Sequence, residues 1–202
     1  MFEAIIRTLV PSPLQTIYLA VTAFIIGTAI GIDKKTNKVP AIVSIIKMLI
    51  LWIVGGLVYV AIEILYRGYS HWTMFIVGGI CFIEIGIENE LMPTWDIPIE
   101  VQALIGAIII TVNEFICGCI INIGYGMHVW DYSGLPFNVL GQICLPFTYA
   151  WFYIAIIAIV VDDKIRYVLF REELPHYDSI TFKRTFYLTT NPDLIKKCNR
   201  FA

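Results

Sequence analysis

Two acidic side chains interrupt long apolar stretches of this chain. Glu114 lies within the apolar run of residues 101–123, and Glu84 lies within a shorter run that begins near residue 73. If these runs cross a lipid bilayer, a charge at their centre costs several kcal/mol. Each acid must then be protonated, paired with a cation or hydrogen-bonded to a neighbour. Glu114 and Glu84 are therefore the first candidates for chemistry inside the membrane.

Glu114 belongs to a stripe of small and polar residues. Ala107, Thr111, Glu114, Gly118 and Asn122 follow one another at intervals of four, three, four and four. These intervals place all of them on one face of a helix. Small and polar faces let membrane helices pack closely and bond to each other. Two interpretations remain open: a helix–helix seam in which Glu114 bonds to a neighbour, or a polar site or ion path between helices.

Three more charged residues complete this candidate path. Glu63 and Arg67 are four residues apart, so they can pair on one helix face. We expect Arg67 to be the partner of Glu114 as well. Asp131 lies in the loop that follows the helix of Glu114, and it either organises that loop or contacts a ligand. The hypothetical substrate or ion path therefore consists of Glu63, Arg67, Glu114 and Asp131.

The loop of residues 124–141 is rich in aromatic residues, glycine and proline, and carries little charge. Such a loop suits the headgroup level of a membrane, where Trp130 and Tyr132 would act as interfacial anchors. Asn138 can bond to backbone groups of a tight turn that contains proline. We assign loop-organising roles to Trp130, Tyr132, Asn138 and Gln142.

The composition shows what kind of protein positions these residues. Of 202 residues, 58% are hydrophobic and 15% are charged, whereas a soluble domain has about 25% charged residues. The mean hydropathy of +0.78 excludes a compact soluble globule and a disordered chain. A net charge of −2 gives no basic excess for nucleic-acid binding. The chain is therefore expected to be an integral protein of the cell membrane that crosses the bilayer several times.

Five segments are long and apolar enough to span about 30 Å of hydrocarbon as helices. The fold class predicted is an all-α, polytopic bundle of five transmembrane helices that forms one domain over residues 1–175. The last helix is expected to extend into the cytoplasm to about residue 173, with a polar cytoplasmic tail at 176–202. The predicted spans are 14–32, 41–65, 73–90, 101–123 and 142–161.

Lysine and arginine set the predicted orientation. The first loop holds Lys34, Lys35 and Lys38, and the segment after the last span is also rich in basic residues. Because cytoplasmic loops carry the excess of basic residues, the N-terminus is expected outside and the C-terminus in the cytoplasm. Lys47, one turn into the second span, is expected to reach back to the cytoplasmic surface. The basic helical extension after the last span can rest on anionic lipid.

The sequence offers little for catalysis or cofactors. His71, His128 and His176 are scattered, and no Ser/His/Asp or paired-carboxylate spacing is recognisable. Cys117 and Cys119 do not have the spacing of a metal site. The G-x-x-x-x-G-K-[ST] loop of ATP-binding proteins is missing from the sequence. We therefore expect no enzyme activity, no cofactor and no metal.

Two groups of residues resemble a known family. The first runs from Trp130-Asp131-Tyr132-Ser133 through Pro136-Phe137-Asn138 to Gly141-Gln142-Ile143-Cys144, and the second is Glu63 to Gly68 with His71-Trp72 and Gly78-Gly79. Over roughly residues 50–160 the chain resembles the type IV ABC-transporter family of small bacterial membrane proteins. Glu114 matches a glutamate in the same span of that family. The resemblance implies a permease-like component of a transport system.

The partners follow from this resemblance and from the missing ATP-binding loop. A separate ATPase subunit would have to dock on the cytoplasmic side. The alternative function is structural or regulatory: the protein would bind another membrane protein, or form a homo-oligomer, through its small-residue seams. Gly27-x-x-x-Gly31 in the first span matches a short close-packing motif that would serve such a contact.

Overall fold

The computed structural model describes residues 13–91, 97–191 and 193 of the chain. In this part five helices follow one another; a small hairpin precedes the last helix, and a second hairpin follows it. The helix of residues 99–118 continues directly into a π-helical turn, Cys119–Gly124. The elements are α1 (Pro13–Thr36), α2 (Ala41–Arg67), α3 (Trp72–Leu91), α4 (Ile99–Gly118), β1 (Asn138–Val139), β2 (Ile143–Cys144), α5 (Leu145–Phe170), β3 (His176–Ser179) and β4 (Arg184–Tyr187).

The helical fold and the membrane character are confirmed. Four segments are long and apolar enough to cross a membrane: Pro13–Lys35, Ala41–Arg67, Ile99–Gly124 and Leu145–Phe170. They correspond to four of the predicted spans. The fifth predicted span, 73–90, forms helix α3 but is not among these four, so a count of five crossings stays a prediction.

Helix α3 occupies the centre of the bundle and packs against each of the other four helices. From Thr73 to Glu88 every side chain is buried or half-buried. The other helices instead turn large apolar side chains outward, which suits a surrounding of lipid. Examples of these exposed residues are Leu19 and Phe24 on α1, Ile46 and Leu57 on α2, Leu104 and Ile108 on α4, and Tyr153 and Ile157 on α5.

Helices α2 and α3 approach each other most closely where each carries a pair of glycines. A Cβ atom built on Gly78 would lie 2.3 Å from the Cβ of Tyr59 and 2.9 Å from the carbonyl oxygen of Gly55. A Cβ atom built on Gly55 would lie 2.3 Å from the Cβ of Phe82. Small residues at such crossings let membrane helices gain dispersion contacts over a long interface. This crossing fixes the position of Tyr59, which is part of the site described below.

The Gly27-x-x-x-Gly31 motif of α1 does not pack against another helix within the described part of the chain. A Cβ atom on either glycine would have nothing within 4 Å there. The expected role of this motif in a contact with another protein stays a prediction. The closest helix crossing is instead made by Gly55 and Gly78.

The C-terminal ends of α2 and α5 show clear stop signals. Gly68 ends α2 in the left-handed conformation, with φ of 81°, and donates its N–H to the carbonyl of Ile64. Helix α5 ends at Phe170, a little before the predicted end near residue 173, and Arg171 takes a positive φ of 57°. After this end the chain forms the antiparallel hairpin β3–β4, in which Tyr177 pairs with Phe186. The sequence predicted only a polar tail for residues 176–202, and it did not predict this hairpin.

The α2–α3 crossing gives a first prediction. Gly78→Ala should destabilise the protein by about 1–3 kcal/mol or more, because the new methyl group overlaps the Tyr59 side chain. Gly27→Ala is the matched control, since a methyl group there has no atom of the described residues within 4 Å. Thermal unfolding in detergent would compare the two variants with the parent protein. Equal melting temperatures for both variants would contradict the close approach.

Candidate functional site around Glu114

The carboxyl group of Glu114 is buried, with 1% of the residue exposed, and receives three hydrogen bonds. Tyr59 donates its hydroxyl to Oε1 at 3.1 Å, and Tyr132 donates to the same oxygen at 3.4 Å. Trp151 donates its indole N–H to Oε2 at 2.7 Å. The three donors come from α2, from the loop after α4 and from α5. All three are uncharged, so Glu114 joins three elements without an opposite charge.

Aromatic rings enclose this carboxyl group. Tyr59 stacks on Trp151 with ring centroids 5.7 Å apart, and Tyr132 stacks on Phe147 at 4.6 Å. Phe147 in turn lies 6.3 Å from Trp151. A carboxyl group in such surroundings is desolvated, and its charged form depends on the donors that it keeps. The arrangement can hold a proton on the acid, or bind a cation between the carboxylate and the ring faces.

Asn122 connects the π-helical end of α4 to the loop above Glu114. Its amide oxygen accepts the backbone N–H of Val129 at 2.7 Å. Its amide nitrogen donates to the carbonyl of Trp130 at 3.0 Å and to Gln142 Oε1 at 2.8 Å. The indole of Trp130 donates to the carbonyl of Gln142 at 2.9 Å. The side chains of Asn122, Trp130 and Gln142 thus fold the loop down onto the helix ends.

The rest of the loop is a tight turn that brings Tyr132 over the site. Tyr132 donates its backbone N–H to the carbonyl of Gly141 at 2.8 Å. Asn138 donates to the carbonyl of Leu135 at 2.8 Å, and its amide oxygen accepts the N–H of Gly141 at 3.2 Å. The four residues to which the sequence assigned loop-organising roles, Trp130, Tyr132, Asn138 and Gln142, therefore all bond within or beneath this loop.

Asp131 is exposed and bonds within the turn. Its two oxygens accept the backbone N–H and the hydroxyl of Ser133, at 2.8 and 3.0 Å. The backbone bond first, and then the hydroxyl, hold the pKa of Asp131 below its usual range. A methyl group on Gly141 would meet the Asp131 carboxylate at 2.8 Å. These contacts support the loop-organising interpretation of Asp131, and its role in a path stays a prediction.

Arg67 does not pair with Glu114, so that expectation was wrong. Its guanidinium donates to Glu63 at 2.6 Å and to the carbonyl of Val129 at 2.6 Å. The predicted Glu63–Arg67 pair is therefore confirmed. Glu63 also accepts the hydroxyl of Ser70 at 2.5 Å. The physical reason is proximity. Arg67 is the last residue of α2, where Glu63 and the loop carbonyls of Tyr69 and Val129 already accept its hydrogen bonds. Glu114 lies deeper in the bundle, on α4.

The small and polar stripe of α4 faces α5 and the loop. A Cβ atom on Gly118 would lie 2.5 Å from Gln142 Oε1, and one on Gly106 would lie 2.9 Å from the Cβ of Ala155. Thr111 approaches Thr148 of α5 at 3.3 Å between their hydroxyls. The stripe is therefore closely packed, and Glu114 within it bonds to its neighbours. For the stripe residues on either side of Glu114, this arrangement favours a helix–helix seam over a polar path.

Two further acids of the bundle, Glu84 and Glu88, lie on α3. Glu84 accepts a hydrogen bond from Asn113 of α4 at 2.5 Å. Glu88 is 5% exposed, and neither of its carboxyl oxygens has a hydrogen-bond partner among the described residues. A buried carboxylate without a donor is costly, so the neutral form of Glu88 is favoured. The sequence singled out Glu84 but did not identify Asn113 as its partner.

A second polar cluster lies at the opposite end of the bundle. Lys47 of α2 is buried and bonds to Asp33 of α1 at 2.5 Å and to Glu172, just after α5. Arg166 of α5 bonds to Asp162 at 2.5 Å and lies 3.8 Å from Glu172. The expectation that Lys47 reaches the cytoplasmic surface was wrong, because two carboxylates satisfy it inside the bundle. This charged cluster ties α1, α2 and α5 together.

Sequence reasoning found Glu114 but missed Tyr59, Trp151 and Phe147. Tyr59 and Trp151 are aromatic residues with a polar atom inside apolar helices, which was the available signal. Which aromatic residue reaches which acid depends on how the helices pack. Among the described residues, no three His, Cys, Asp or Glu side chains are placed to share a metal ion.

The bond from Trp151 to Glu114 can be tested directly. Trp151→Phe should lower the free energy of unfolding by about 1–3 kcal/mol, because the buried carboxyl group loses its shortest hydrogen bond. Trp52→Phe is the matched control, since the indole N–H of Trp52 is buried without a partner in the described structure. Chemical or thermal unfolding in detergent measures both. A loss no larger for Trp151→Phe than for Trp52→Phe would show that the bond is unimportant.

Comparison with known proteins identifies the family of this chain. A family sequence model described as "Putative ABC-transporter type IV" matches residues 2–190, nearly the whole chain. No curated protein and no solved structure matches it. The match extends beyond the residues 50–160 on which the resemblance rested. The chain belongs to this type IV ABC-transporter family.

Proposed function

We propose that this protein is the permease-type membrane subunit of a transport system in the cell membrane, and that it works with a separate ATPase. Glu114 and its three donors form the functional centre. The ATPase must be separate because the sequence has no loop for binding ATP phosphates. The family supports a role in transport.

The proposal includes five membrane crossings, with the N-terminus outside. The basic residues Lys34 and Lys35 lie in the last turn of α1, on the same end of the bundle as the Lys47 cluster and the end of α5. Arg67 and the loop over Glu114 lie at the other end. Because basic residues favour the cytoplasmic side, the first end is cytoplasmic and Glu114 is reached from outside through the loop. In this orientation the acidic helix α3 also crosses the membrane, and the other four helices surround it.

This orientation predicts that tags at the two termini report from opposite sides. A reporter that is active only in the cytoplasm should work at the C-terminus and fail at the N-terminus. A reporter that is active only outside should show the reverse. Insertion of the same reporters after Lys38 and after Gly134 gives internal controls for the cytoplasmic and outer loops. Activity of one reporter at both termini would contradict an odd number of crossings.

The observation that carries the function is the bonding of Glu114 to three separate elements by uncharged donors. Gain or loss of a proton, or of a bound cation, changes which of these donors the carboxyl group can keep. Tyr132 belongs to the outer loop, whereas Tyr59 and Trp151 belong to helices that run to the cytoplasmic end. One local change at Glu114 can therefore alter the position of the loop relative to two helices, as an alternating-access subunit requires.

A structural or regulatory role is the second candidate. It is favoured by the close packing of Gly118 against Gln142 and of Gly106 against Ala155, since the stripe on α4 is filled by neighbours of the same chain. In that case Glu114 only fixes the loop on the bundle. The protein would then act by binding another membrane protein or a second copy of itself.

Replacement of Glu114 by glutamine separates the two candidates. The amide oxygen can keep the bond from Trp151, and the tyrosine hydroxyls can accept instead of donate. Glu114→Gln should therefore fold and reach normal abundance. If the centre couples to the ATPase, the ATPase activity of the complex in proteoliposomes should change about fivefold or more. Glu84→Gln is the control, because Glu84 bonds to Asn113 and does not touch this centre.

The first step of the experiment is purification in mild detergent and identification of the co-purifying proteins. Recovery of an ATPase subunit supports the transport proposal, and recovery of a different stable partner supports the structural role. An ATPase activity that is identical for the parent, Glu114→Gln and Glu84→Gln would contradict a functional role of Glu114. A lower abundance of Glu114→Gln with normal specific activity would assign the acid to packing.

A further inference from the structure

We propose that the tip of the β3–β4 hairpin, residues 180–184, binds the anionic headgroups of the cytoplasmic leaflet and anchors α4 and α5 at the membrane boundary. The hairpin segment was expected to be a polar tail. Its position and its exposed side chains instead give it the properties of an interfacial anchor. The proposal depends on the orientation proposed above and does not depend on the role of Glu114.

The hairpin runs back along α5 toward the membrane. Tyr177 donates its hydroxyl to Asp163 at 2.8 Å. Asp163 precedes the end of α5 at Phe170 by seven residues, which is about 10 Å of helix. Burial, and then the carboxylate of Asp163, raise the pKa of Tyr177 well above its usual value, so the hydroxyl keeps its proton and remains a donor. The hairpin therefore lies beside the last turns of α5 and does not project beyond them.

Glu100 holds the tip at the start of α4. Its carboxylate accepts the hydroxyl of Ser179 and the backbone N–H groups of Ile180 and Thr181, the latter two at 3.1 Å. Glu100 is the second residue of the apolar segment Ile99–Gly124, which is long enough to cross a membrane. The tip is therefore fixed at the level where hydrocarbon ends and headgroups begin.

The tip exposes the two kinds of side chain that suit this level. Ile180 is 59% exposed and Phe182 is 66% exposed. Lys183 and Arg184 follow directly and are also exposed, and the guanidinium of Arg184 lies 4.4 Å from the ring centroid of Phe186. Apolar side chains that enter the boundary and basic side chains that meet lipid phosphates are the usual components of an interfacial anchor.

The choice of lipid over a protein partner rests on this location. A docking element for a cytoplasmic protein would extend away from the membrane, whereas Glu100 and Asp163 hold the hairpin close to it. The end of α5 supports the same view, because Val168 and Leu169 are exposed beside Lys164 and Arg171. The charge of the tip also favours lipid, since its basic side chains complement the anionic headgroups of the leaflet.

Hydrogen exchange of the protein in nanodiscs tests the proposal. One preparation would contain phosphatidylcholine alone, and the other about one third phosphatidylglycerol. Backbone amides of residues 180–186 should exchange about tenfold more slowly in the anionic nanodiscs, because two basic side chains gain headgroup contacts there. The double variant Lys183→Gln/Arg184→Gln should lose this difference. Its fold is preserved because neither side chain bonds to Glu100.

The control is Lys34→Gln/Lys35→Gln, which removes two exposed basic residues at the end of α1 and should keep the hairpin effect. Phe182→Ser tests the apolar part and should weaken the protection in both lipids. Equal exchange of the hairpin in the two lipids would overturn the proposal. Protection that appears only when an ATPase subunit is added would also overturn it and would assign the tip to protein docking. Neither result depends on the activity of Glu114 variants.

Discussion

Hydrocarbon offers no hydrogen bonds, so every polar group inside a membrane bundle must find its partner within the protein. This constraint explains why the side chains around Glu114 come from three different elements. The backbone groups of the neighbouring helices are already paired, so the donors to this carboxyl group are side chains. Tyr59, Tyr132 and Trp151 converge on the acid from α2, from the loop after α4 and from α5.

The two polar centres of the bundle satisfy this requirement in different ways. At one end, the donors that surround Glu114 are uncharged, so no fixed counter-charge holds the acid in one charge state. At the other end, Lys47 faces Asp33 and Glu172, so the buried cation is paired with carboxylates. A buried ion pair fixes structure, because loss of one partner leaves a buried charge without its counter-charge. The first arrangement suits a centre that switches, and the second suits a hinge or an anchor that does not.

Local signals in the sequence predicted much of the fold. Apolar length located α1, α2, α4 and α5, and i,i+4 spacing gave the Glu63–Arg67 pair. Contacts between distant parts of the chain were not predictable in this way. The hairpin depends on Glu100, which is 79 residues from Ser179, and its short strands, rich in charged and hydroxyl residues, look like a solvated tail. The predicted partner of Glu114 was wrong. Charge complementarity favoured Arg67, whereas helix packing places the aromatic donors Tyr59, Tyr132 and Trp151 within hydrogen-bond distance of the acid.

Helix α3 shows most clearly how position in the bundle changes what a residue costs. By composition, its acids make it a poor membrane helix. The Gly55–Gly78 crossing lets α2 cover it closely, and the remaining helices cover its other faces. Glu84 then finds Asn113, and Glu88 is shielded from lipid. An acidic helix is tolerated at the centre because its neighbours replace the hydrocarbon that would exclude it. Because α2 and α5 both pack against α3, a shift of either helix around Glu114 must also change its contacts with α3.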